Sequence, residues 1–92
     1  MLHTLRTDPI PFQAMWDGIK TFELRKNDRG FKVGDTLCLI EHQRDGSKNL
    51  GNTGRVMNAT VQYILENCYG LEDTGLCIMA ITITQRSPIV LF

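Results

Sequence analysis

The stretch from Gly18 to Asp35, Gly-Ile-Lys-Thr-Phe-Glu-Leu-Arg-Lys-Asn-Asp-Arg-Gly-Phe-Lys-Val-Gly-Asp, decides how this chain folds. Its residues 20–26 alternate in character with a period of two, which predicts a strand. Residues 27–30 and 33–35 have the composition of turns. The stretch also holds five cationic side chains around one glutamate. We therefore expect most of any functional site to lie here.

A short amphipathic helix is predicted just before this stretch. Asp8 suits the N-cap, and Pro9 suits the first helical position. Apolar residues then recur at helical spacing up to Gly18, which ends the helix. We expect Phe12 and Trp16 to be core residues rather than ligand-stacking residues.

Four further strands are predicted from apolar alternation or from nearly continuous apolar runs, at residues 1–7, 36–41, 55–65 and 76–84. In the third of these, alternation places Ala59, Val61, Tyr63 and Leu65 on one face. Residues 43–54 contain three glycines among polar residues, which predicts a long hairpin loop.

Five strands and one helix without a βαβ rhythm predict an α+β fold, with a mainly antiparallel sheet that curls into a small β-barrel flanked by the helix. At 92 residues the chain is expected to be one domain, over residues 1–86. The tail at residues 87–92, Ser-Pro-Ile-Val-Leu-Phe, is unusually apolar. It is expected either to close the barrel or to pack against a second subunit in a homodimer.

The charge distribution points to the middle of the chain. Apolar residues make up 42% and charged residues 22%, as in ordinary soluble domains, and the formal net charge is zero. Residues 20–55, however, hold eight of the ten cations against five acids, a net +3. This asymmetry favours an anionic ligand there, although no overall basic field marks the chain as a nucleic-acid binder.

Several site classes are not expected. Cys38, Cys68 and Cys77 are odd in number and lack metal-site spacing, so neither disulfides nor a zinc site is predicted, and Cys38 and Cys77 are expected to be buried thiols. With two histidines in the chain, we expect no metal and no cofactor. No apolar run is long enough for a membrane span, so the expected location is the cytoplasm. Nucleophile-elbow, P-loop and dinucleotide-binding motifs are also absent.

The candidate site residues lie on the predicted strand at 20–26. Glu23 and Arg25 share one face, about 6.6 to 7 Å apart, so they could bind one ligand or pair with each other. Lys20 at the helix end is either a solvated lysine or, if desolvated, a base or nucleophile. A phosphate held by the neighbouring cations would leave Glu23 to accept hydrogen bonds from a base or to polarise a water.

These residues carry a resemblance to a known family. The sequence Gly18-Ile-Lys-Thr-Phe-Glu-Leu-Arg25, followed by Phe31-Lys-Val-Gly-Asp-Thr-Leu37, resembles the ASCH domains of the PUA-like superfamily. Within them, His3-Thr-Leu-Arg6 and the Phe-Glu-Leu-Arg-Lys-Asn-Asp-Arg string at 22–29 are similar to the DUF3850 subgroup of small bacterial and phage proteins. The match is good over about the first 42 residues and rests on pattern alone beyond them.

The resemblance implies a β-barrel with a helix beside a cleft that binds RNA or a modified nucleotide. His3, Lys20, Glu23, Arg25, Lys26 and Arg29 would then be the nucleic-acid-binding residues. Some ASCH relatives are amidohydrolases acting on acylated cytidine, and others are proposed ribonucleases, so an alternative is a small hydrolase with Lys20 and Glu23 as catalytic residues. The amidohydrolase pattern has a threonine where this chain has Glu23. A further alternative is a phage or mobile-element interaction domain that binds its partner through the tail.

Overall fold

The computed structural model describes residues 1–88. In chain order they form β1 (Leu2–Thr7), α1 (Pro9–Trp16), β2 (Phe22–Lys26), β3 (Thr36–Asp45), β4 (Lys48–Glu66) and β5 (Leu76–Ser87). The predicted helix and all five predicted strands are present, which confirms the α+β class. The predicted packing of the apolar tail concerns mainly residues 89–92, which lie outside the described residues.

The five strands form one mixed sheet in the order β1-β3-β4-β5-β2. The pairs β3–β4, β4–β5 and β2–β5 are antiparallel, as predicted for most of the sheet. β1 is parallel to its neighbour β3, and α1 and β2 lie between these two strands in the sequence. This order places the predicted site strand, β2, at one edge of the sheet.

The predicted closed barrel is not observed in residues 1–88, because β1 and β2 remain the two edges of an open sheet. Arginine side chains span the gap between these edges. Arg25 Nη2 donates to the carbonyl oxygen of Arg6, and Arg29 Nη1 donates to that of Thr4 over 2.7 Å. The guanidinium groups thus take up edge carbonyls of β1 that a neighbouring strand would otherwise bind. We call the gap between β1 and β2 the seam.

The β3–β4 hairpin is longer and tighter than the sequence predicts. The long loop expected at residues 43–54 is wrong, since β3 runs to Asp45 and β4 begins at Lys48. Asp45 and Lys48 pair, which leaves a two-residue turn of Gly46 and Ser47. Gly46 has a φ of 59° and Ser47 is not among the residues with positive φ, as in a type II′ turn.

A β-bulge in β4 corrects the predicted face of two residues. The register against β5 shifts between Val61 and Tyr63, so Gln62 is an extra residue in the ladder. Ala59 and Val61 share one face, as predicted, and that face meets the core, but Tyr63 is 61% exposed. Beyond the bulge Ile64 packs on the core instead, because one extra residue exchanges the two faces of a strand.

The core lies between α1 and the inner face of the sheet, and its buried apolar residues are Leu5, Phe12, Met15, Phe31, Leu37, Leu39, Met57, Ala59, Val61, Cys77, Met79 and Ile81. The prediction that Phe12 and Trp16 are core residues is confirmed for Phe12, and Trp16 packs partly buried against the same cluster.

A buried ion pair fastens the helix to the sheet. Arg55 on β4 donates to both carboxylate oxygens of Glu41 on β3, at 2.9 and 2.8 Å, and also to Gln13 Oε1 on the helix. Its guanidinium lies 5.1 Å from the ring centre of Phe12 and 4.9 Å from that of Trp16. These hydrogen bonds lower the pKa of Glu41 against the opposing effect of its burial.

All three cysteines are free. Cys77 is fully buried, as predicted, and burial raises the pKa of its thiol. Cys38 is only half-buried, because it occupies the outer face of β3. Within the described part of the chain, no helix is long and apolar enough to cross a membrane.

Candidate functional site

The two faces of β2 are the reverse of those in an ordinary edge strand. Phe22 and Leu24 are 46% and 48% exposed, whereas Glu23 between them points inward and is only 5% exposed. Burying a carboxylate while exposing two large apolar side chains costs free energy on both faces of the strand. A strand with this arrangement indicates a site rather than a purely structural element.

Glu23 is surrounded by cations but receives no hydrogen bond from a side chain of residues 1–88. Its Oε1 lies 3.8 Å from Lys20 Nζ and 3.6 Å from Arg25 Nε. Its Oε2 is buried and has no hydrogen-bond partner among the described residues. Glu23 is therefore ion-paired with Arg25 without being satisfied by it, and an unpaired buried acceptor costs about 1–3 kcal/mol.

Glu23 contributes to the wall of a cleft of about 440 Å³ at one end of the seam. We call it the cleft, and its lining residues are Arg6, Thr7, Asp8, Pro11, Glu23, Leu24, Arg25, His42, Arg44 and Asn49. Three arginines and two carboxylates line it, which makes the cleft net cationic. Backbone and side chains from β1, β2 and the β3–β4 hairpin meet here.

An ion pair at the rim joins the helix start to the hairpin. Arg44 Nε and Nη2 donate to the two carboxylate oxygens of Asp8, at 3.0 and 2.7 Å. Asp8 is at the N-cap, as predicted, but its side chain makes no capping hydrogen bond. The pairing with Asp8 raises the pKa of Arg44.

The buried imidazole of His42 holds the hairpin wall of the cleft. Its Nδ1 lies 2.9 Å from Asn52 Oδ1, and its Nε2 lies 3.3 Å from Asn49 Oδ1. Both asparagines are on β4, opposite His42 on β3. The site therefore rests on an ordered hairpin wall instead of the long loop that the sequence predicts.

The predicted site residues between Lys20 and Arg29 are divided among three depressions. Glu23 and Arg25 line the cleft. Lys20 contacts Glu23 but lines a separate depression of about 260 Å³ beside the end of α1. Lys26 and Arg29 join Arg25 around a smaller depression of about 200 Å³ on the other side of its side chain. Arg25 is thus the residue shared by both openings of the seam.

His3 lies away from the cleft, at the beginning of β1. Its Nε2 is 2.8 Å from Asp35 Oδ2, and its ring meets the ring of Phe31 edge-on with centroids 4.7 Å apart. Asp35 also binds the terminal ammonium of Met1 and the backbone N–H of Lys32. Among the described residues, His3 therefore belongs to a structural cluster, and its predicted role in binding stays a prediction.

The comparison with known families agrees with the resemblance to DUF3850 found in the first part of the sequence. Residues 2–81 match the family model described as "Domain of unknown function (DUF3850)". The chain belongs to the DUF3850 family. None of the curated proteins matches it in sequence. In this DUF3850 chain the match extends from β1 into β5 and includes every residue that lines the cleft.

Sequence reasoning missed eight of the ten residues that line the cleft of this DUF3850 protein. The residues that it missed are Arg6, Thr7, Asp8, Pro11, Leu24, His42, Arg44 and Asn49. Finding His42, Arg44 and Asn49 would have required predicting residues 42–45 and 48–52 of the hairpin as paired strands instead of a loop. Among residues 1–88, no group of three or more histidine, cysteine or acidic side chains has the geometry of a metal site.

Proposed function

We propose that this DUF3850 chain is a nucleic-acid-binding module of the ASCH, PUA-like type, which takes RNA or a modified nucleotide in the cleft. The observation that carries the proposal is the buried Glu23 carboxylate, which has an unpartnered oxygen at the wall of a cleft lined by three arginines. Its three free thiols suit the reducing cytoplasm.

Glu23 supplies the acceptor for a base. A carboxylate accepts hydrogen bonds from the exocyclic amino group or ring N–H of a nucleobase, and such a bond to a charged acceptor is stronger than a neutral one. The bond would also satisfy the oxygen that no described residue satisfies. A ligand that makes this hydrogen bond thus removes the free-energy cost of the unsatisfied oxygen.

Arg6 is the residue best placed for a phosphate. Its side chain is exposed at the cleft and makes no hydrogen bond or ion pair within residues 1–88. Arg44 is bound to Asp8, while Arg25 and Arg29 are bound to carbonyl oxygens of β1. The phosphate role predicted for Arg25, Lys26 and Arg29 is therefore shared with Arg6, which sequence reasoning did not select.

The hydrolase alternative requires Lys20 and Glu23 to face one substrate. Their charged atoms are 3.8 Å apart, but they line different depressions. Binding without turnover is therefore the function that the geometry supports better. The interaction-domain alternative rests on the tail, most of which lies outside the described residues.

The test is a binding titration of labelled single-stranded RNA and matching DNA over a series of salt concentrations, with Arg6→Gln and Glu23→Gln. Arg6→Gln is expected to lower the log–log salt slope by about 0.7, the value for one phosphate contact on a single strand. Glu23→Gln is expected to weaken binding about ten-fold without changing this slope, because it alters a base contact. Lys32→Gln, an exposed charge change outside the cleft, is the matched control.

Two results would contradict the proposal. One is the absence of RNA and DNA binding by the wild-type protein at low salt. The other is turnover of acylated cytidine or RNA that disappears in Lys20→Ala while the fold persists, which would establish the hydrolase instead.

A further inference from the structure

The outer face of the sheet carries an apolar surface opposite to the core. Six side chains form two rows across β2, β5 and β4, and we call them the outer patch: Phe22, Ala80 and Tyr63 in one row, Leu24, Ile78 and Leu65 in the next. Phe22, Leu24 and Tyr63 are 46%, 48% and 61% exposed. A contiguous patch of this kind on a folded domain marks an interaction surface.

Two features of the strands create the outer patch. On β2 the inward position of Glu23 turns Phe22 and Leu24 outward. On β4 the bulge at Gln62 turns Tyr63 and Leu65 outward. The bulge also turns Ile64 toward the core, and β-bulges recur where a side chain must be re-aimed for function. Both features place aromatic rings on the same outer surface.

The charges around the outer patch favour an anionic partner. The register places no carboxylate on the outer face of β2, β5 and β4 between the row that contains Lys26 and the row that contains Thr82. Lys26 lies on this face next to Leu24, and Lys20 Nζ is 4.8 Å from the centre of the Phe22 ring. An apolar face that carries lysines and no carboxylate within these strands suits the bases and phosphates of a nucleic acid better than a mixed-charge protein surface.

The outer patch adjoins the cleft at the edge formed by β2, where Leu24 belongs to both. Lys20 contacts Glu23 Oε1 on the inner side of β2 and the ring of Phe22 on the outer side. A nucleic-acid strand bound in the cleft therefore meets the outer patch as soon as it crosses the edge of the sheet formed by β2. Phe22 and Tyr63 stand on strands separated by β5, about 10 Å apart, with the small Ala80 between them.

We propose that the outer patch is a second contact surface for single-stranded RNA, on which unstacked bases lie against the rings of Phe22 and Tyr63. The inference rests on the proposed function and extends the binding surface around the edge of the sheet. Sequence-specific and general RNA binders use exposed aromatic rings on sheets in this way, because every base has a flat face that can stack. Lys20 and Lys26 lie where they can approach the phosphates of the same strand.

The test compares Phe22→Ser and Tyr63→Ser with wild type in binding to a single-stranded RNA of about 12 nucleotides. Each substitution is expected to weaken binding at least about five-fold and to leave the salt slope unchanged, because stacking releases no counterions. Tyr63→Phe should bind as wild type. Tyr69→Ser is the matched control, since Tyr69 is 89% exposed but lies in a turn outside the outer patch.

A measurement on the wild-type protein gives a result that does not depend on whether the variants fold. In NMR spectra of the wild-type protein, RNA should shift the ring signals of Phe22 and Tyr63 but not those of Tyr69. RNA binding that is insensitive to both serine substitutions, with unshifted rings, overturns this inference and leaves the cleft proposal standing. Absence of any RNA binding overturns both. A dimer that forms in sedimentation runs and is lost in Tyr63→Ser, without an RNA effect, would make the outer patch a protein interface instead.

Discussion

At the scale of single residues, two buried carboxylates show how differently this chain treats similar groups. Asp35 binds the Met1 ammonium, His3 and the Lys32 N–H, and its pKa falls to about 2 chiefly through the hydrogen bond from His3. Glu23 has only two cations nearby and one oxygen without any partner. The satisfied carboxylate stabilises the fold, and the unsatisfied one is available to a ligand.

Asp35 should make the folded protein sensitive to acid. Its folded-state pKa of about 2 lies below the ordinary value of 3.8, so its contribution is present above about pH 4 and is lost as the pH falls toward 2. We expect Asp35→Asn to be less stable than wild type at pH 6, with the difference shrinking between pH 4 and 2. Urea unfolding across this pH range measures it, and a constant difference would contradict the assignment.

At the scale of elements, β4 does most to shape the molecule. It pairs with β3 along a hairpin that ends in a two-residue turn. Its bulge places Tyr63 on the outer face, whereas the sequence predicts Tyr63 on the same face as Ala59 and Val61. The same strand supplies Asn49 and Asn52 to the cleft wall and Tyr63 to the outer patch. One long, bent strand thus connects the two proposed contact surfaces.

The turn of this hairpin should depend on the backbone freedom of Gly46. Its φ of 59° disfavours any side chain, although a Cβ there would meet no atom within 4 Å. Gly46→Ala is therefore expected to lower the free energy of unfolding by about 1 kcal/mol through backbone strain alone. Denaturant titration measures the change, with Ser47→Ala in the same turn as control. Equal stability of the two variants would mean that the turn tolerates a side chain at this position.

At the scale of the whole molecule, the seam is the feature that separates this fold from a closed barrel. β1 and β2 are held near each other by Arg25 and Arg29, which donate to carbonyl oxygens of β1, rather than by a backbone ladder. Side-chain hydrogen bonds of this kind contribute less cooperatively than a ladder of paired strands. The seam is therefore the place where two strands of the sheet can separate without breaking a backbone ladder.

Removing the arginines of the seam should loosen the two edge strands selectively. In the double variant Arg25→Gln with Arg29→Gln, we expect faster amide hydrogen exchange in β1 and β2, while β3, β4 and β5 keep their protection. Mass spectrometry of exchanged peptides measures this, and Lys32→Gln controls for the loss of charge. Uniformly faster exchange throughout the sheet would show that the arginines support global stability instead.

Much of the secondary structure could be predicted from local patterns. The helix from Pro9, the strand over residues 22–26 and the apolar strand beginning at Leu76 follow directly from periodicity. The length of the hairpin strands was missed because their polar residues, with Gly51 and Gly54 among them, have the composition of a loop. Pairing across the hairpin, rather than local preference, makes these residues extended.

The sequence by itself determined the number and type of elements and the DUF3850 membership, and it indicated the segment around Glu23 as the candidate site. Only the tertiary structure decided that Glu23 is buried, that the sheet is open and that Tyr63 faces outward. The physical reason is that alternation sorts residues between two faces of a strand but does not say which face meets the core. That choice depends on strand order, bulges and edge contacts, which form only when distant segments come together.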